Sequence, residues 1–173
     1  MNLKIKYRES FRPFAPIIIK DKLREWFDFG EYKIDDSFES PYMLLVGNVT
    51  SCKKSNEEKK KYAGLEKLKN IKSKIPAVTH VDGSARIQSV DKKTNRPIYN
   101  LLSDFYKLTG CPILINTSFN VRGEPIVESP KDAYRCFMRT QMDYLVLGDF
   151  LISKNNQQEY VETKDWMKEF KLD

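Results

Sequence analysis

The stretch Pro112–Val127, PILINTSFNVRGEPIV, constrains this chain more than any other. Pro112 to Ile115 is a short apolar run that fits a strand. It is followed at once by Asn116, Thr117, Ser118, Asn120 and Arg122, before Gly123 lets the chain turn back. No carboxylate appears in it until Glu124. Hydroxyls, amides and one guanidinium, placed with free loop N–H groups where a strand ends, suit an oxyanion such as phosphate or carboxylate. The same residues also fit a polar turn whose side chains satisfy one another.

A second set of cationic residues lies at the N-terminus. Leu3 to Tyr7 alternates apolar and polar, as a strand does, and Lys6, Arg8 and Arg12 follow within seven residues. On a strand, Lys6 and Arg8 project from one face and repel each other unless an anion joins them, so they form a candidate phosphate clamp. Glu9 could instead neutralise one of them. A third set surrounds Asp82-Gly83, a hairpin signal between two short strands over Ile75–Val90. His80, Asp82, Ser84 and Arg86 are spaced by two, which regular pairing would place on one side. Arg86 is a further anion ligand candidate, and His80 serves as a pocket residue or as a structural one.

The remaining pattern sets the fold class. Ile17–Phe29 reads as a helix ending at Gly30, and Tyr42–Val49 as a strand buried on both faces. Arg96-Pro97 opens an amphipathic helix with Ile98, Leu101, Leu102, Phe105 and Leu108 inward and Gly110 past its end. Ser129-Pro130-Lys131-Asp132 is a helix start, with Ser as the cap. Tyr144–Leu147 and Phe150–Ile152 are short strands around Gly148-Asp149, and the tail frays into a helix near Asp165–Lys171. Alternating strands and helices make this an α/β or α+β fold with a mixed sheet, and 173 residues suit one domain.

The formal charge of +6 hints at nucleic acid until it is mapped. Lys53–Lys74 holds nine lysines against Glu57, Glu58 and Glu66, and the other 151 residues balance at 21 basic against 21 acidic. That segment reads as an exposed insertion helix or linker, and with Tyr62 its one aromatic and no arginine it weakens the reading as an RNA site. Cys52, Cys111 and Cys136 lack a C-x-x-C spacing and His80 is the sole histidine, so neither a disulfide framework nor a transition-metal site is expected. No apolar run reaches the roughly 20 residues that span a bilayer, and a soluble, cytoplasmic protein is expected.

The segments RESFRPFAP, PAVTHVDGSARIQSV and LTGCPILINTSFNVRGEPIVESPKDAYRCFMRTQMDYLVLGDFLI together resemble the C-terminal domain of the NodU/CmcH-type carbamoyltransferases. The resemblance covers most of residues 4–153, leaving 154–173 as a polar tail and 53–74 as an insertion. That domain is similar in fold to the YrdC-like threonylcarbamoyl-adenylate synthases, with a twisted mixed sheet flanked by helices and a K-x-R and S-x-N phosphate pattern. Lys6-Tyr7-Arg8 and Ser118-Phe119-Asn120 match it.

The resemblance implies binding of carbamoyl phosphate and ATP, usually with Mg²⁺, and formation of carbamoyl-adenylate with release of pyrophosphate. A kinase-like domain then passes the carbamoyl group to an acceptor hydroxyl. On this reading Lys6, Arg8, Arg12 and Arg86 hold phosphates, Ser118, Asn120 and Asn116 orient the carbamoyl group and the α-phosphate, and His80 and Arg122 line the pocket. Replacing Lys6 or Ser118 by Ala is expected to remove adenylate formation and leave the fold intact. Nothing in the chain resembles the kinase-like domain, so it is expected to be half of a split enzyme or a fragment. The lysine-rich segment is a candidate docking element for the missing half. Two other classes stay open: a basic RNA-binding module, and a non-catalytic partner of a kinase-like chain.

Overall fold

Three isoleucines after Pro16 lie in an interior strand of the larger sheet. In the computed structural model, which describes residues 1–31, 34–35, 37–51 and 73–161, strand β1 is Ala15–Ile19. The sequence pattern predicts a helix from Ile17, and the structure corrects it. β-branched Ile17, Ile18 and Ile19 pair in parallel with β4 (Ser84–Val90) and antiparallel with β5 (Ile113–Asn116). Burial between two neighbours suits β-branched residues and overrides the helical spacing. Within that stretch only Lys20–Lys22, a 3₁₀ turn, and Leu23–Trp26 (α1) are helical, and Phe27–Asp28 (β2) then pairs with β3 (Leu45–Val49).

The described residues give a five-stranded sheet in the order β2-β3-β4-β1-β5. It lies wholly in one of two compact units into which the chain divides, Pro13–Thr117; the other is Met1–Arg12 with Ser118–Asp173. The expected α/β class with a mixed sheet is what the structure has.

In the Pro13–Thr117 unit, alternation gives the sheet two different faces. Ile18, Ala85, Ile87, Val49 and Ile113 join Phe14, Leu23, Phe27 and Val78 in the main core. On the opposite face, Ile19 and Val90 pack with Leu102 of α2 (Arg96–Thr109), alongside Ile17, Leu114, Ile98, Tyr99 and Tyr106. Helix α2 starts where expected, with Asn95 accepting from the Ile98 N–H at 3.3 Å, and stops at Gly110 with φ 72°. Its buried stripe is narrower than predicted, because Leu101 and Leu108 are exposed. β3 is not buried on both faces either: Leu45 and Val46 are exposed. Gly47 and Val49 face the core instead, with Gly47 beneath Ile87 and Phe29. The expected hairpin has one strand arm only, β4. Pro76–Val78 is a 3₁₀ turn, since Pro76 cannot donate to a ladder.

The second unit is built on α3 (Pro130–Arg139) and the hairpin of β6 (Tyr144–Leu147) and β7 (Phe150–Ser153). Ser129 caps α3 as predicted: its Oγ accepts from the Asp132 N–H at 3.2 Å and donates to Asp132 Oδ2 at 2.6 Å. Ala133, Cys136, Phe137 and Leu145 are buried. Lys154 closes the far end of the helix, donating to the carbonyls of Phe137 and Thr140 with its ammonium 4.2 Å from the Phe137 ring centre.

Residues Leu3–Tyr7 are not a strand. Asn2–Lys6 is a π-helical turn whose Met1 carbonyl accepts from Ile5 and Lys6, and Tyr7 closes it at φ 50°. Asn2 and Lys6, four apart, are the buried pair, while Leu3 is 66% exposed. Burial therefore follows a helical period and not the period of two. The expected insertion Lys53–Lys74 and the tail helix Asp165–Lys171 lie outside the described residues, apart from positions 73–74.

Candidate functional site

In the unit of residues 1–12 and 118–173, the strand-end loop meets the N-terminal turn. Lys6 is the connection. Its Nζ donates to the Ser118 carbonyl at 2.8 Å, Ser118 Oγ at 3.2 Å, the Asn120 carbonyl at 2.7 Å and Asn120 Oδ1 at 2.6 Å. An ammonium has three N–H groups, so four oxygens already occupy it. Lys6 thus shapes the Ser118–Asn120 loop, and it is 4% exposed. The expectation that removing it spares the fold does not suit this burial and these bonds.

The loop is braced further. Ser118 Oγ donates to Asn120 Oδ1 at 2.6 Å, and Asn120 Nδ2 donates to the Glu124 carbonyl at 2.7 Å. Glu124 Oε2 accepts from the Val121 N–H at 3.1 Å, and Arg122 N–H donates to the Lys6 carbonyl at 3.2 Å. Gly123 sits at φ 79°, a conformation that glycine takes without penalty. Glu124 and Arg139, each with a side chain 6% exposed, form a buried pair at 3.8 Å. Sequence reasoning missed both. Glu124 was visible as the first carboxylate after the loop, but Arg139 carried no signal.

Around this loop the charge is positive. Burial, and then the Arg8 guanidinium, holds the Lys6 ammonium below the usual lysine range. Arg8 is lowered likewise by burial and by Arg12, while Glu9 opposes the shift. Arg8 Nε donates to Asn2 Oδ1 at 2.8 Å, and Asn2 Nδ2 donates to the carbonyls of Ser10 and Arg12 at 3.2 and 2.7 Å. Arg12 is exposed, and Arg122 stands 3.6 Å from Glu9. Lys6 and Arg8, held below their usual ranges by burial and by neighbouring guanidinium groups, lie in the same unit as a loop of hydroxyl and amide groups and form a place that an anion would stabilise. The unit therefore contains Lys6, Arg8, Arg12, Ser118, Asn120 and Arg122 of the predicted set.

His80, Arg86 and Asn116 belong to the Pro13–Thr117 unit, on the sheet face away from the main core. α2 covers one part of that face, and Arg86, Val46 and Asn48 are exposed on the rest. His80 Nδ1 is 2.9 Å from Ser84 Oγ, which donates to Asp82 Oδ1 at 2.7 Å. Asn116 Nδ2 donates to Gln88 Oε1, and Gln88 Nε2 donates to the Pro41 carbonyl at 2.7 Å. Gln88 is a residue the sequence reading missed, although it continues the spacing of two from Ser84 and Arg86.

Among the described residues, no group of three or more His, Cys, Asp or Glu side chains could hold a metal ion. Glu124 is committed to Arg139 and the Val121 N–H, and Glu9 faces Arg122, so the loop has no spare carboxylate cluster for Mg²⁺. Cys136 is a packed thiol pushed up to about 12 by burial and then by Glu124. No helix among the described residues is long and apolar enough to cross a membrane.

Comparison with known proteins places the chain in a family. The chain is 51% identical over its whole length to an uncharacterized protein of Synechocystis sp., covering 27% of that protein. It is 38% identical to nodulation protein NolO of Bradyrhizobium diazoefficiens, over 89% of the chain and 24% of NolO. With nodulation protein U of Rhizobium tropici the identity is 35% over 69% of the chain and 16% of that protein. The chain thus spans about a quarter or less of the length of these curated relatives. The family described as carbamoyltransferase C-terminus matches residues 1–154, nearly all of the described structure, and the chain belongs to that family.

Proposed function

We propose that this chain is the carbamoyl-activating part of a carbamoyltransferase. It binds carbamoyl phosphate and ATP and forms carbamoyl-adenylate. In net terms carbamoyl phosphate, ATP and water give carbamoyl-adenylate, phosphate and pyrophosphate. The observation that carries the reading is the Lys6 ammonium fixed by the Ser118 and Asn120 oxygens beside Arg8 and Arg12.

Attack at the α-phosphate places negative charge on phosphate oxygens, and cations and donors already in position stabilise it without reorganising. Arg8 and Arg12 supply the charge, Asn120 Nδ2 has a second N–H for a short-range hydrogen bond, and Ser118 exchanges its bond to Asn120 Oδ1 for one to the phosphate. Lys6 keeps that loop in shape, and Arg122 flanks it. In the Pro13–Thr117 unit, Arg86, His80 and Asn116 keep their proposed ligand roles, each tested by its own substitution. Among the described residues no carboxylate set would hold magnesium, which would arrive on the nucleotide phosphates; no step above runs through a protein-held ion. Transfer to the acceptor hydroxyl falls to a kinase-like domain, corresponding to the relatives' greater length outside the match.

Pyrophosphate release from ATP by the purified chain, with and without carbamoyl phosphate, tests the proposal. Release that depends on carbamoyl phosphate is expected. Absence of release together with absence of ATP and carbamoyl phosphate binding by calorimetry would refute it.

A further inference from the structure

The residue between Lys6 and Arg8 is held in a backbone conformation that its side chain disfavours. Tyr7 has φ 50° and ψ 48°, in the left-handed region, and closes the N-terminal turn at a position where glycine ordinarily stands. Among the described residues Met43 is the other non-glycine with positive φ, and it belongs to the Pro13–Thr117 unit. What the tyrosine adds over glycine is its hydroxyl. Tyr7 Oη donates to the Arg139 carbonyl at 3.0 Å, and Arg139 is the last residue of α3, where carbonyls have no partner within the helix. Burial, and then Cys136, raises the phenol above the usual tyrosine range, so the donated proton stays in place.

The left-handed residue decides where the two flanking cations go. Along an extended chain Lys6 and Arg8 would project from one face and repel each other. With Tyr7 turned, the Lys6 ammonium enters the Ser118–Asn120 loop, while Arg8 Nε donates to Asn2 Oδ1 at 2.8 Å. The Asn2 carbonyl accepts from the Tyr7 amide and also from the Arg8 amide, at 3.1 Å, a bond that the left-handed turn makes possible. The end of α3 joins this turn to the loop. The Arg139 carbonyl holds Tyr7, its guanidinium stands 3.8 Å from Glu124, and the Glu124 carbonyl holds Asn120 Nδ2. Turn, helix end and loop thus close a ring within a single unit.

We propose that Tyr7 is a positioning residue that sets Lys6 and Arg8 apart before an anion binds, through its hydrogen bond to the end of α3. The inference rests on the reading of the chain as a carbamoyl-activating protein, and adds the contact that keeps the cations of that site in order. A tyrosine without the bond has every reason to leave the left-handed region, and a glycine in its place is free to leave it. The turn is then closed for only part of the time, and a ligand that requires the closed turn binds more weakly in proportion to the closed fraction. The loss falls on KM and spares kcat, because a bound ligand holds the turn closed.

The test compares the full chain as wild type, Y7F and Y7G. Y7F removes the donor and keeps the disfavoured backbone, whereas Y7G removes both. Hydrogen exchange of the Arg8 amide reads the turn without any ligand, and the KM for ATP in pyrophosphate release dependent on carbamoyl phosphate reads the site. In both variants the Arg8 amide should exchange about tenfold faster, one hydrogen bond's worth, while amides in the middle of α3 keep their rates. KM should rise by about the same factor, with kcat changed by under about twofold. An Arg8 amide unmoved in Y7F, faster exchange spread over the whole of α3, or a wild-type KM in Y7G overturns the role of Tyr7 and leaves the activating function standing. So does faster Arg8 exchange with KM unchanged. A wild type that neither releases pyrophosphate nor binds ATP and carbamoyl phosphate overturns both.

Discussion

Replacing Lys6 by methionine keeps the length of the side chain and removes its charge, and it asks whether the ammonium holds the loop together. The four oxygens around Nζ include the backbone carbonyls of Ser118 and Asn120, at 2.8 and 2.7 Å. Hydrogen bonds to a charged group contribute about 1.5–3 kcal/mol each, but three protons shared over four acceptors do not give four full bonds. The ammonium also carries a desolvation cost and repulsion from Arg8 and Arg12, which its loss relieves. Removing it leaves carbonyls short of a donor, at about 1–3 kcal/mol for each that water does not reach. The balance is a net loss of about 2–4 kcal/mol, a large part of the ~5–15 kcal/mol that holds a typical domain. Ser118→Ala is the contrast: Ser118 is exposed, and its loss should change stability by under ~1 kcal/mol. In urea unfolding, K6M should drop well below the wild type and S118A should not. Both should lose pyrophosphate release dependent on carbamoyl phosphate. A K6M protein within ~0.5 kcal/mol of the wild type, the range of an ordinary surface change, would refute the structural role given to the ammonium. Undiminished turnover in either variant would refute the site.

Two further outcomes follow from packing and protonation. A Cβ at Gly47 would stand 2.9 Å from Ile87 Cδ1 and 3.1 Å from the Phe29 ring, so Gly47→Ala should cost about 1–3 kcal/mol in a thermal or urea melt; an unchanged midpoint would show that β3 yields freely. The buried Cys136 thiol keeps its proton to about 12, against an ordinary value of 9.0, so in that window the folded state binds more protons than the unfolded. Stability should therefore fall by ~1.4 kcal/mol per pH unit above about 9 on account of this group, and C136A should show a shallower alkaline slope than the wild type; parallel slopes would count against it.

How far the sequence could be read depends on what each pattern encodes. Helices α2 and α3 were legible because Pro97, Ser129, Pro130 and Gly110 carry local signals that act within one turn. The 17–29 stretch was not, because Ile19, Leu23, Trp26 and Phe27 satisfy a helical spacing. What decides against it is pairing with β4 and β5, some 70 and 95 residues away, which no local rule contains. The candidate site shows the same division. Residue type marked Lys6, Arg8, Ser118 and Asn120 as an oxyanion set, and the structure brings all four into one unit. It could not mark which of them an anion would touch. That depends on how many acceptors already surround each donor, and a lysine enclosed by four oxygens has a different task from an exposed arginine beside it. The polarity of His80 is hidden for a similar reason: the sequence shows an imidazole near a serine and an aspartate. Only the 2.7 Å approach of Ser84 to Asp82 says which way the proton points. Site chemistry of this kind is a property of saturation, counted atom by atom, and becomes readable when the partners of each polar group are known.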